Sequence, residues 1–111
     1  MVCMLNGVHA AKRELQLYQS PMISIITWME TLVGVPELQQ RDVRGFLNDF
    51  EVVAIDAAIA NGAITARKQM RLKLPDAIIW ATALHYNVPL VTRNTKDFDA
   101  KHPLVRIPYR L

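Results

Sequence analysis

LPDAIIWATALHYNVPLVTR, residues 74–93, points most directly to a fold class. Pro75 stands in the first turn of a helix, where its missing N–H costs nothing. The residues after it, DAIIWATALHY, are apolar on every side apart from Asp76, so the helix they form is buried all round. Asn87 ends it, and PLVTR (89–93) carries no charge before Arg93, which suits an interior strand of a parallel sheet. A buried helix leading directly into a buried strand belongs to a layered α/β domain.

The same pattern recurs on either side. Residues 8–19 place Ala11, Leu15 and Tyr18 on one helical face, which predicts a surface helix ended by Ser20 and Pro21. MISII (22–26) is a short strand covered on both faces. Thr27 and Glu30 match a capping box for a short helix stopped by Gly34 and Pro36. Leu38, Val43, Phe46 and Leu47 give residues 37–50 an amphipathic helix, and EVVAI (51–55) a further strand. Asp56 is the N-cap of a longer helix through Ile59, Ala63, Ala66 and Met70, with Gly62 as its weak spot and the basic end RKQMRLK (67–73). LVRIPY (104–109) adds an edge strand. Helices and strands alternate without repeats or linkers, so one domain spans residues 1–111.

The bulk numbers agree with this and exclude other classes. A chain of 111 residues with 51% hydrophobic content fills one core without a staple. The single Cys3 rules out an internal disulfide and a cysteine-based zinc site, and fits a cytoplasmic protein. No apolar run reaches the length of a membrane span. The four glycines form no phosphate-binding loop, and His9, His85 and His102 show neither ligand nor triad spacing. A net charge of +3 tilts the surface mildly toward polyanions.

Three carboxylates stand out by their company. Glu30 is the only charge between Ser20 and Pro36, and Asp76 the only one between Lys73 and His85. Asp97 comes after the strand 89–93, beyond its carboxyl end, where open α/β sheets keep their sites. Each has an ordinary explanation: a capping-box acid for Glu30, the helix dipole for Asp76, a polar turn for Asp97. Together they also form an oxygen-ligand set for a hard divalent cation, Mg²⁺ or Mn²⁺, which hydrolyses phosphodiesters by holding phosphate oxygens and activating water. Arg93 and Lys96, with Lys68 and Arg71 of the basic run, then offer a rim for a nucleic-acid backbone. A solvated helix end is the alternative for that run.

Three segments, SIITWMETLVG (24–34), EVVAIDAAIANGAITARKQMRLK (51–73) and LPDAIIWATALHYNVPLVTRNTKDF (74–98), resemble the PIN-domain family, specifically its VapC-type toxins. The resemblance implies a three-layer α/β/α sandwich around a parallel sheet. It further implies a magnesium-dependent endoribonuclease held inactive by a protein antitoxin, often as a homodimer. Glu30, Asp76 and Asp97 match the family's second, third and fourth acids, and Thr92 and Asn94 its polar strand-end positions. The family's first acid lies at the end of its first strand, ahead of the glycine matching Gly7, and MVCMLNG (1–7) matches only the tail of that motif. The resemblance thus implies a chain without the first strand, an open sheet prone to association and weakened or absent cleavage. It leaves two functional expectations: a metal-dependent ribonuclease, or a catalytically inactive PIN-like module that binds RNA or an antitoxin-like protein.

Overall fold

Short runs with few charges make the strands, and none is long enough to be stable without neighbours. The structure, a computed structural model, describes residues 2–5, 20–92, 98 and 105–106. Among these the elements are β1 (Val2–Leu5), β2 (Ser20–Ser24), α1 (Ile25–Val33), a 3-10 turn (Glu37–Gln39) and α2 (Gln40–Leu47). Next in the chain are β3 (Glu51–Val53), α3 (Ala57–Met70), α4 (Leu74–Tyr86), β4 (Leu90–Val91) and β5 (Val105–Arg106). The strands form one sheet of five in the order β3-β2-β1-β4-β5, and every adjacent pair is parallel. Parallel neighbours need crossover connections, and α1 and α2 supply the one between β2 and β3.

Side chains alternate across a strand, and here the alternation separates two cores. Met22 and Leu90 join Met4, Ile59 and Ala63 of α3, and the buried face of α4 from Ala77 to Ala83. Their immediate neighbours Ile23 and Val91 join Leu32 of α1, Leu47 of α2 and Phe50. One face of the sheet is therefore covered by α3 and α4 and the other by α1 and α2, which is the expected α/β/α sandwich. Covering both faces explains why Pro21–Ser24 are all buried and why the strands carry so little charge. No helix among the described residues is long and apolar enough to cross a membrane.

The differences from expectation are local. Val2–Leu5 fills the central position of the sheet that the resemblance leaves open, pairing with β2 on one side and β4 on the other. Strand β2 ends at Ser24 rather than Ile26, because the Ser24 hydroxyl accepts from the Ile26 N–H at 3.1 Å and starts α1 two residues before Thr27. Residues 37–50 split into a 3-10 turn and α2, and the strand expected over 51–55 stops at Val53, where its pairing with Ser24 ends. Asp56 caps α3 as expected, accepting from the Ile59 N–H at 2.8 Å. Gly62, a weak spot by helix propensity, is where α3 crosses α4: a Cβ there would lie 3.2 Å from Cβ of Ala81. Of the edge strand expected over 104–109, Val105–Arg106 are described, and they pair with β4. The helix expected over 8–19 lies outside the described residues.

Candidate active site

Parallel strands finish on a common edge of the sheet. At that edge β2 ends in Ser24 and β4 in Val91, with Thr92 next, its side chain buried. Helix α1 departs from the end of β2, with Ser24 as its cap and no acid in its first turn. Glu30 therefore lies in the second turn, exposed, and is not the capping acid that its spacing from Thr27 offers. Helix α4 returns to the start of β4 through Asn87–Pro89, so its first turn lies back at the edge where the strands end. That turn holds Pro75 and the partly buried Asp76. Helices α1 and α4 pack against each other and against β2. Topology thus places Asp76, Thr92 and the start of α1 on one edge, with Glu30 in the second turn of that helix.

The other expected site residues divide into two groups. Lys68 and Arg71 are exposed at the turn from α3 to α4, where Arg67 Nη1 donates to the Leu72 carbonyl at 2.9 Å and holds the turn together. Arg93, Asn94, Lys96 and Asp97 lie outside the described residues. The residue after Asp97 is described: Phe98 is fully buried and its ring stacks on Trp80 at 5.9 Å between centroids. Trp80 is one helical turn beyond Asp76 on α4.

Among the described residues no group of three or more His, Cys, Asp and Glu side chains lies close enough to hold a metal ion. What they offer is a pair of carboxylates, Glu30 and Asp76, with hydroxyls at Thr27 and Thr92. All are hard oxygen donors, the chemistry of Mg²⁺ or Mn²⁺ rather than of zinc. Thr27 adds an observation that sequence spacing misses. Its hydroxyl is buried in the first turn of α1 and has no hydrogen-bond partner among the described residues. Buried polar atoms of this kind are rare and call for a further partner such as a water or an ion. The donor set fits a hydrated hard cation.

A sheet covered by helices on both faces, with carboxylates where its strands end, defines an α/β domain whose site lies at the carboxyl edge. The PIN domain pattern matches residues 5–102 of this chain. Ribonuclease VapC1 of Methanocaldococcus jannaschii is 33% identical over 94 residues, covering 79% of this chain and 69% of the relative. A chain of a toxin-antitoxin complex from Klebsiella pneumoniae superposes with a TM-score of 0.86 at 38% identity, over 98% of this chain and 99% of that one. VapBC2 from Rickettsia felis, bound to a promoter DNA fragment, gives 0.74 at 21% identity over 96% of this chain and 97% of that one, a likeness of fold. The chain belongs to the PIN-domain family, and it is of the VapC type.

Proposed function

We propose that this chain is a divalent-metal-dependent endoribonuclease, the toxin of a toxin–antitoxin pair, acting in the cytoplasm as a homodimer and silenced by a protein antitoxin. The observation that supports the reading is the shared edge where the strands end: α1, which carries the isolated acid Glu30, starts there, and α4 opens there with the isolated acid Asp76. Glu30, Asp76 and Asp97 would hold Mg²⁺ or Mn²⁺. Bound there, the ion would supply charge for the phosphate oxygens and a lowered pKa for water. Thr92 and Asn94 orient the acids by hydrogen bonding, and Lys68, Arg71, Arg93 and Lys96 hold the RNA backbone. The name of the archaeal relative, a ribonuclease, and the toxin-antitoxin complex from Klebsiella pneumoniae support the same reading.

The test is RNA cleavage with Mg²⁺, comparing the chain with Asp76→Asn. The substitution keeps the shape and removes the charge, and activity falls about 100-fold or more, beyond what loss of an outer-shell partner costs. Equal activity in the two proteins overturns the metal assignment.

One observation favours a second reading. The strand at the centre of the sheet, Val2–Leu5, carries no carboxylate, and the first acid in the chain is Glu14. A PIN-like module lacking that ligand binds RNA or an antitoxin-like protein without cutting. RNA binding by the unaltered chain with no cleavage in Mg²⁺ or Mn²⁺ selects this reading.

A further inference from the structure

We propose that Thr27 is a positioning residue for Glu30, its hydroxyl donating a hydrogen bond that turns the Glu30 carboxylate toward the cation site; this rests on the metal-dependent reading above. Three other helical threonines show what such a hydroxyl normally does. Thr31 donates to the Thr27 carbonyl at 2.8 Å, Thr65 to Asn61 at 3.2 Å and Thr82 to Ile78 at 2.7 Å, each four residues back. Thr27 is too close to its helix start for this. Four residues back is Ile23, which is extended strand, paired with Val52 of β3. Nor does Thr27 cap the helix, because Ser24 already does so.

The consequence is a hydroxyl on a side chain only 4% exposed, with no partner among the described residues. Removing a hydroxyl from water without pairing it is unfavourable, so the position calls for an acceptor that the apolar core does not supply. Glu30 is three residues on, at the spacing that brings two side chains together on a helix surface. Its carboxylate is exposed and long enough to fold back. Carboxylates that hold a metal ion are oriented by outer-shell hydrogen bonds to their second oxygen, and Thr27 offers that bond.

The experiment measures Mn²⁺ affinity by calorimetry on the full chain, together with urea unfolding. The proteins are wild type, Thr27→Val, Thr27→Ser, Glu30→Gln, Asp76→Asn and the double variant of Thr27→Val with Glu30→Gln. Valine keeps the shape of threonine and removes the hydroxyl. Mn²⁺ binding is expected to weaken about 10-fold in Thr27→Val and to return with Thr27→Ser. The unfolding midpoint of Thr27→Val stays equal or rises, since an unpaired buried hydroxyl has gone. In the Glu30→Gln background the valine has no further effect. Wild-type affinity in Thr27→Val, or the same 10-fold loss with Glu30 already removed, overturns the proposal. Should the valine variant fail to fold, Thr27→Ala takes its place in the same cycle. Unchanged Mn²⁺ affinity in both Glu30→Gln and Asp76→Asn is a different result, one that removes the metal site itself.

Discussion

Arg71 holds a conformation that suits glycine. At φ 57° and ψ 29° it ends α3 in the left-handed region, where an L side chain crowds its own carbonyl. The next residue keeps the backbone there: Leu72 is buried, and Arg67 grips its carbonyl. Arg71→Gly is expected to raise stability by about 0.5–1 kcal/mol, less the entropy that glycine adds to the unfolded chain, as read by urea unfolding. If Arg71 contacts the RNA backbone, the same variant binds RNA more weakly and its salt dependence falls by about one phosphate contact. An unchanged salt slope takes Arg71 out of the proposed rim. Among single residues the acids are legible in the sequence, because a lone charge in an apolar helix is conspicuous. Thr27 is not. A threonine three residues before a glutamate looks like a cap, and only the start of α1 at Ile25 shows that the capping falls to Ser24.

The elements are tied by polar side chains as well as by apolar faces. Gln40, opening α2, donates from Nε2 to the Leu32 and Val35 carbonyls, both at 2.8 Å. The Leu32 carbonyl near the end of α1 also accepts from the Val35 N–H at 3.2 Å, so the amide adds a second bond there, satisfies the Val35 carbonyl and fixes where α2 departs. Gln40→Ala is expected to cost about 1–2 kcal/mol, measured as a lower midpoint in thermal unfolding. An unchanged midpoint would show that water replaces both bonds. Helix α4 is legible almost to its ends, since Pro75 and Asn87 are explicit start and stop signals. The strands are legible as strands but not in length. EVVAI continues in sequence beyond Val53, yet its ladder stops there because its partner β2 turns into helix after Ser24. A strand ends where its neighbour does, and the neighbour is not written in the segment.

The molecule as a whole depends on side chains that clamp distant segments onto one core. Phe98 is the clearest: it reaches the core from beyond β4, stacks on Trp80 of α4 and is fully buried. Phe98→Ala is expected to lose about 3–5 kcal/mol in urea unfolding, and RNA cleavage with it if the clamp holds Asp97 in place. A loss below about 1 kcal/mol would show that the stack contributes little. The alternation of helices and strands, the two-faced burial of the sheet and the identity of the isolated acids are all written in the chain itself. They are consequences of hydrophobic period and of the cost of burying charge, which act within a few residues. Folding alone sets Val2–Leu5, four residues with no strong signal of their own, at the centre of the sheet. It alone leaves Thr27 without a partner among the described residues and brings the start of α1 and the first turn of α4 to a shared edge. The reason is that strand order and hydrogen-bond satisfaction are relations between segments far apart in the chain, and no local pattern encodes a partner that arrives only on folding.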